Sequence, residues 1–134
     1  MSAEEMARAL EAFPMLESYA ARLVAAYAED PTLATLSGID AQVVLGDARD
    51  TLPAQNFEVD AWFLDGFSPA KNPELWDADL MAQVGSHTKP GGTAATYTAE
   101  GFVRRNLEAA GFSVTRTPGF GRKRHMTRCE KPAT

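Results

Sequence analysis

Two aspartates follow apolar runs of the kind that form buried strands, and both are placed to do chemistry. Asp65 comes directly after residues 59–64, and Asp47 comes shortly after residues 39–45. A carboxylate that projects from a strand end into a loop crevice can accept a hydrogen bond from an amine and orient its lone pair, which is a role for Asp65. Asp47 can accept a hydrogen bond from the amino group of a base such as adenine. Alternatively, each aspartate only forms or caps the following turn, because Asx turns are common.

The residues beside these aspartates suit a binding loop. Gly66 lets the backbone approach a ligand closely, and Phe67 with Pro69 would form an apolar wall. The other loop is Gly46-Asp47-Ala48, which closes its strand in the same way. In open α/β sheets ligands bind beyond the carboxyl ends of the strands, so both loops are predicted at a ligand crevice.

A third candidate is a glycine pair at residues 119 and 121, followed by Arg122, Lys123 and Arg124. Three successive cations on a hairpin turn would clamp phosphates, with Phe120 as a stacking surface. The same pattern is also typical of a solvated turn between two strands. Charge favours a polyanionic partner at this end, because residues 1–100 hold 5 Lys/Arg against 16 Asp/Glu and residues 101–134 hold 8 against 2. Arg104 and Arg105 add to the patch only if their helix faces it.

The sequence excludes dinucleotide dehydrogenases, P-loop enzymes and serine hydrolases. It contains no Gly-x-Gly-x-x-Gly, no Gly-Lys-Ser/Thr phosphate loop and no serine nucleophile elbow. His87 and His125 have no partner at metal-ligand spacing and are interpreted as surface or hairpin residues, so we expect no metal. The single cysteine, Cys129, and the lack of a membrane-length apolar run indicate a soluble, cytoplasmic protein.

The elements that must position these residues alternate between helix and strand. We predict a helix over residues 3–29 broken at Phe13-Pro14, a helix over 72–84 capped by Asn72, and a helix over 100–110. The predicted strands cover residues 39–45, 59–64, 93–98, 112–117 and 124–129, with a turn at 89–92. This order predicts an α/β sheet that ends in an antiparallel hairpin, with one domain at residues 1–129 and a flexible tail at 130–134.

Three blocks in the right order carry a family resemblance. Residues 59–76, 95–105 and 118–124, together with Gly46-Asp47-Ala48, resemble the methyltransferase part of the bacterial tRNA 5-methylaminomethyl-2-thiouridine biosynthesis (MnmC-like) family. The resemblance runs from residue 10 to residue 129. It implies a partial class I, Rossmann-like sheet and methyl transfer from S-adenosylmethionine to the aminomethyl nitrogen of a wobble uridine in tRNA.

The resemblance also implies roles for residues. Those at the reaction centre would be Asp65, Gly66 and Phe67. Those at the cofactor would be Gly46, Asp47, Ala48 and Asp65. Those facing tRNA phosphates would be Arg104, Arg105, Arg122, Lys123 and Arg124. In many members this part is fused to a flavin-dependent oxidase, which would bring FAD; no part of that oxidase is present here, and such an oxidase would be a partner.

The sequence departs from the family at its start. Class I folds normally begin with a strand and a glycine-rich turn, followed by a strand ending in an acid, and neither precedes Ala3. We therefore expect either an N-terminally truncated member or a partner that supplies the absent part, and in the isolated chain weak or absent cofactor binding and open strand edges. Two alternatives stay open: a non-catalytic RNA-binding or interaction module, and a methyltransferase for a small molecule.

Overall fold

The computed structural model describes residues 1–36 and 38–134, with the side chains of residues 33 and 34 left aside. Two compact units are present, Met1–Gly46 and Asp47–Thr134. Each unit has its own secondary structure, and the candidate carboxylates Asp47 and Asp65 both belong to the second.

The first unit is a helical pair followed by a short hairpin. It contains helices α1 (Ala3–Leu10) and α2 (Glu17–Glu29), a 3₁₀ turn at Pro14–Leu16, and strands β1 (Leu33–Leu36) and β2 (Ile39–Gln42). The break at Pro14 confirms the predicted division of the first helix, because the residue before a proline is driven out of the α region. A capping box between Ser2 and Glu5 begins α1.

The predicted buried strand at residues 39–45 is wrong in extent and in burial. β2 ends at Gln42 and pairs antiparallel with β1 in a two-stranded sheet. One edge of β2 pairs with β1, and no described strand pairs with its other edge, so β2 is not an interior strand. The apolar residues that follow are exposed, Val44 at 45% and Leu45 at 73%.

The second unit is an α/β unit with a four-stranded sheet. It contains α3 (Ala48–Thr51), β3 (Val59–Phe63), a 3₁₀ turn at Pro73–Trp76, α4 (Ala78–Ser86), β4 (Thr88–Thr96), α5 (Gly101–Ala109), β5 (Ser113–Pro118) and β6 (His125–Glu130). The sheet order is β3-β4-β6-β5; β3 and β4 are parallel, and β6 is antiparallel to both of its neighbours. The predicted α/β class and its C-terminal antiparallel hairpin are therefore confirmed.

The directions of these strands bring four chain segments to one edge. Since β6 is antiparallel to both β4 and β5, strands β3, β4 and β5 all point the same way. Their carboxyl ends and the start of β6 therefore share what we call the carboxyl edge of the sheet. The predicted loop at residues 65–69 and the predicted basic turn at 119–124 both lie at this edge.

Three local predictions need correction. The helix predicted over 72–84 begins only at Ala78, because Asp77 is its cap and accepts a hydrogen bond from the Leu80 N–H at 2.8 Å; Asn72 caps nothing. The turn predicted at 89–92 is an irregularity inside β4, where the register jumps from Val59 opposite Thr88 to Ala61 opposite Thr93. β3 is not buried, since it lies at the end of the sheet.

The core of the second unit gathers around α4, α5 and the sheet. Its buried members include Trp76, Met81, Val84, Val103, Leu107, Phe112 and Cys129. β6 extends to Glu130, and the next residue, Lys131, donates its N–H to the Gly92 carbonyl at 2.8 Å. The division into a domain at 1–129 and a tail at 130–134 stays a prediction. Within the described residues, no helix is both long and apolar enough to cross a membrane.

Candidate functional site at the carboxyl edge of the sheet

Asp65 is an exposed carboxylate at the carboxyl edge. The residue before it, Leu64, still donates its N–H to the Ala95 carbonyl at 2.9 Å, so Asp65 is the first residue beyond the paired strand. Its side chain makes no hydrogen bond or ion pair to any described residue and therefore does not cap the following turn. The carboxylate keeps its full capacity to accept hydrogen bonds from a ligand.

A buried tryptophan holds the loop that follows. Trp76, only 2% exposed, donates its indole N–H to the carbonyls of Gly66 and Phe67, each at 3.2 Å. The Asn72 amide also donates to the Gly66 carbonyl, at 3.3 Å, and the Asn106 amide donates to the Trp76 carbonyl at 2.8 Å. These four bonds form what we call the loop clamp, and they connect α5 to the backbone beside Asp65.

The clamped loop contains a strained residue. Phe67 has φ of 62°, a left-handed conformation that costs a non-glycine residue about 1–2 kcal/mol. Its ring is 80% exposed, whereas Pro69 is buried, so the apolar wall predicted from both residues reduces to Phe67. At Gly66 an added Cβ would lie 3.2 Å from Leu75 Cβ and 3.3 Å from the Trp76 ring. A side chain at this position would therefore press on Leu75 and Trp76 beneath the loop.

The Asp47 carboxylate is bound by Arg49, two residues further along the chain. It caps α3 through the Arg49 N–H at 2.9 Å, and the Arg49 guanidinium binds both carboxylate oxygens, with Nη2 to Oδ2 at 2.6 Å. The hydrogen bonds from Arg49 lower the pKa of Asp47 to about 2. Its side chain remains 37% exposed. The Arg49 Nε–H is shared between Oδ1 at 3.0 Å and Oδ2 at 3.2 Å, so each oxygen accepts two hydrogen bonds and a ligand would have to displace one of them.

The two aspartates do not follow neighbouring strands of one sheet. Among the described residues, β2 pairs with β1, while β3 is paired only with β4. The premise that both loops follow strands of one α/β sheet is therefore wrong, because the strand before Asp47 lies in the two-stranded sheet. Gly46 has φ of 137° and belongs to the first unit, whereas Ala48 begins α3 and packs against the core of the second.

The basic turn between β5 and β6 is a closed structure. Gly119 donates its N–H to the Arg124 carbonyl, and Lys123 donates to the Phe120 carbonyl, both at 3.1 Å. Arg122, Lys123 and Arg124 are exposed. The two salt bridges in the described part of the chain, Arg49–Asp47 and Lys89–Asp60, leave these three cations free of acidic partners.

The other basic residues behave differently from one another. Arg105 is exposed and its guanidinium lies at the amino end of α5, since a Cβ added to Gly101 would be 3.0 Å from Arg105 Nη1. That helix end follows β4, so Arg105 lies at the carboxyl edge. Arg104 is half-buried, and its Nε is enclosed without a hydrogen-bond partner. Partial burial, with the cations Arg116 and Arg124, lowers the pKa of His125.

Tyr97 is a candidate that the sequence analysis did not single out. It follows β4 directly and is 57% exposed. Phe63 pairs with Ala95, so continuing the parallel register by two residues places Tyr97 level with Asp65 on the next strand. The signal in the sequence was an aromatic residue directly after an apolar strand, inside one of the blocks that carry the family resemblance.

Comparisons with known proteins agree with this architecture. A family model described as S-adenosyl-L-methionine-dependent methyltransferase matches residues 10–132. This chain belongs to that family of methyltransferases. Its relatives include the "tRNA 5-methylaminomethyl-2-thiouridine biosynthesis bifunctional protein MnmC" of Ectopseudomonas mendocina, 47% identical over 127 residues, covering 91% of this chain and 19% of that protein. The protein with the same name from Hahella chejuensis is 41% identical over 132 residues, covering 95% and 21%.

A solved structure also resembles the chain. The crystal structure of MNMC2 from Aquifex aeolicus superposes with a TM-score of 0.62 at 36% identity, over 71% of this chain and 33% of that one. The chain spans about a fifth of the length of the curated relatives it matches.

The family's cofactor, S-adenosylmethionine, suits the carboxylates present. It carries an adenine amino group and a sulfonium cation, and both favour acceptor-only, negatively charged partners. Asp47 is ionised at neutral pH because Arg49 lowers its pKa to about 2, and an adenine amino group would have to compete with the Arg49 N–H groups for its oxygens. Across the residues that the structure describes, no three His, Cys, Asp or Glu side chains gather to hold a metal ion.

Proposed function

We propose that this methyltransferase acts on tRNA and transfers a methyl group to the aminomethyl nitrogen of 5-aminomethyl-2-thiouridine at the wobble position. The names of the relatives support this substrate. The observation that carries the proposal is the unpaired, exposed carboxylate of Asp65 on a clamped loop at the carboxyl edge. S-adenosylmethionine supplies an electrophilic methyl group on a sulfonium, and sulfur leaves as a neutral thioether when the new N–C bond forms.

Asp65 prepares the amine in this proposal. An alkyl ammonium has no lone pair for attack, so the site must favour the neutral amine. The Asp65 carboxylate accepts a hydrogen bond from the amine N–H, which directs the nitrogen lone pair toward the methyl group, and it takes the proton that the nitrogen loses. Because no described residue binds this carboxylate, forming the substrate contact breaks no internal bond.

Gly66 and Phe67 shape the reaction centre. Gly66 brings the backbone close to Trp76, and the resulting loop holds the Phe67 ring out in solvent at 80% exposure. The ring would pack on the substrate base and exclude water from the amine. Strain at Phe67 fits this role, since strained backbone clusters at active sites.

The cofactor and the tRNA would take the remaining predicted residues. Asp47, with Gly46 and Ala48 beside it in the chain, would receive the adenine amino group in place of one of its hydrogen bonds from Arg49. The cations expected to bind tRNA phosphates are Arg104, Arg105, Arg122, Lys123 and Arg124. Support for the last three comes from their exposure and their lack of acidic partners among the described residues.

The test is transfer of labelled methyl from S-adenosylmethionine to tRNA that carries the aminomethyl group. In this assay Asp65→Asn should slow the transfer about 10²–10⁴-fold, the usual contribution of a general base. Asp60→Asn is the matched control, because Asp60 is an exposed carboxylate in β3 that pairs with Lys89. Equal rates for Asp65→Asn and the unmodified chain would reject the role of Asp65, and methyl transfer to a small molecule without tRNA would reject the substrate.

A second function is favoured by one observation. Arg49 already occupies most of the Asp47 carboxylate, which weakens its case as a cofactor residue. A non-catalytic RNA-binding module would keep the basic turn and need no cofactor. Salt-sensitive tRNA binding with no methyl transfer under any condition would select this function over the first.

A further inference from the structure

Phe120 is the most conspicuous residue of the basic turn. Its ring is 81% exposed, although burying a phenylalanine normally stabilises a fold. A single exposed apolar residue is ordinary on protein surfaces, so exposure alone assigns no role. The surroundings of this ring are what distinguish it.

The turn is built to hold the ring in one place. The bonds Gly119 to Arg124 and Lys123 to Phe120 close it. Gly121 adopts φ of 61°, and a Cβ on Gly119 would collide with the carbonyl group of Lys123. Another residue would therefore clash at 119 and be strained at 121, and Phe120 sits between the two glycines at the tip of a defined hairpin.

The hairpin that presents Phe120 is strongly basic, and its one acid, Glu130, lies at the end of β6 opposite Ser113, away from the turn. Residues 113–129 contain Arg116, Arg122, Lys123, Arg124 and Arg128 and no Asp or Glu. An aromatic ring among unpaired cations is the arrangement that binds single-stranded nucleic acid, since the cations follow the backbone and the ring stacks on a base. A paired helix offers no such base face in its interior, so this pattern favours an unpaired segment.

The turn also lies at a suitable distance from the candidate reaction centre. Both are at the carboxyl edge, and the sheet order places β6 two strands and β5 three strands away from β3. At about 4.8 Å per strand, the hairpin is on the order of 10–15 Å from Asp65 across the sheet. One single-stranded RNA loop can reach both places.

We infer that Phe120 is a stacking site for an unpaired RNA base next to the nucleotide whose amine is methylated. The inference rests on the proposed function in taking RNA as the substrate, and it adds a second base contact and a requirement for single-stranded RNA. The ring stacks on the base while Arg122, Lys123 and Arg124 neutralise the phosphates on either side.

The test measures binding of the full chain to a hairpin RNA with a single-stranded loop, and to the same strand paired along its whole length. We expect Phe120→Ala to weaken loop binding about 5- to 150-fold, as loss of one base–aromatic stack does, and to leave duplex binding unchanged. Phe120→Trp should restore loop binding. Phe57→Ala is the matched control, because Phe57 is a partly exposed aromatic that precedes the amino end of β3.

A spectroscopic readout separates stacking from a structural effect. A 2-aminopurine placed at single loop positions should lose fluorescence at one position when the chain binds, and Phe120→Ala should abolish that quenching. Equal weakening of loop and duplex binding, no weakening at all, or a change in the oligomeric state of Phe120→Ala would each overturn the inference. Loop binding that depends on Phe120, with no methyl transfer by the unmodified chain, would reject the proposed function and retain the stacking site.

Discussion

At the level of single residues, Asp47 and Asp65 show how far sequence reasoning reaches. Both follow apolar runs, and the same argument made both into candidates for binding an amine or a capping role. The structure separates them, because Arg49 binds the first carboxylate while no described residue binds the second. The sequence shows Arg49 two positions after Asp47. Whether the Arg49 side chain reaches the Asp47 carboxylate depends on the local backbone conformation, which the sequence does not show.

The ion pair of Asp47 makes a prediction about pH. The pKa of Asp47 is lowered from 3.8 to about 2 in the folded chain, so the pair contributes stability above pH 3.8 and loses it as the pH falls through about 2. Asp47→Asn keeps a good helix cap and removes the charge. Thermal unfolding should show a small Tm deficit for Asp47→Asn at neutral pH, which closes between pH 3.8 and about 2.

The partner residue provides the control for this prediction. Arg49→Gln removes the same ion pair from the other side, so its Tm deficit should also close in that pH range. The double variant should be no less stable than either single one. A deficit of Asp47→Asn that persists unchanged at pH 2 would show that the pair is not its cause.

At the level of elements, the loop clamp links helix packing to the reaction centre. Trp76→Phe keeps most of the buried ring and removes the N–H that holds the Gly66 and Phe67 carbonyls. We expect a loss of about 0.5–1.5 kcal/mol in the free energy of unfolding, the usual net value of a hydrogen bond. We also expect kcat for methyl transfer to fall roughly 10–100-fold with the KM for tRNA unchanged, because the loop is misplaced and tRNA binding is not affected.

Trp62→Phe is the matched control for the clamp. The Trp62 indole N–H donates to Thr88 Oγ1 at 2.8 Å, so this variant loses a comparable bond within the sheet and away from the loop. It should lose similar stability and retain kcat. If both variants lower kcat equally, Trp76 acts only through overall stability and does not position the loop.

The elements themselves could be predicted to different degrees. The C-terminal hairpin, β3 and α5 were predicted closely, because apolar runs between glycine and proline signals define them locally. The start of α4 was not, since Asn72-Pro73 and Asp77 both have the sequence of a helix start and only tertiary contacts select the second. The irregularity in β4 was taken for a turn because Lys89-Pro90-Gly91-Gly92 carries the composition of one.

At the level of the whole molecule, the sheet brings together candidate functional residues that are far apart in the sequence. Asp65, Tyr97, Arg105 and the basic turn are separated in sequence by up to about sixty positions, and the strand directions bring them to one edge. The sequence predicted that strands would alternate with helices, and hence that loops at one edge would hold the site. The sequence did not predict that β2 pairs with β1 outside the four-stranded sheet. The composition of an apolar strand does not select its pairing partner, so this pairing is visible only in the structure.

The uneven charge of the chain makes the last prediction, which concerns salt. Residues 113–129 hold five cations and no acid, whereas the first unit holds Arg8 and Arg22 among seven Asp and Glu residues. Each phosphate that the protein neutralises releases counterions, which contributes a slope of about −0.7 to −0.9 in log affinity against log salt. Replacing Arg122, Lys123 and Arg124 by alanine should therefore reduce the slope for tRNA binding by about 2 to 3.

The same measurement on Arg8→Ala/Arg22→Ala should give the slope of the unmodified chain, since those cations lie in an acidic unit that repels phosphates. If the slope falls equally in both variants, tRNA binding depends only on the net charge of the chain. The basic turn would then not be a specific phosphate-binding site.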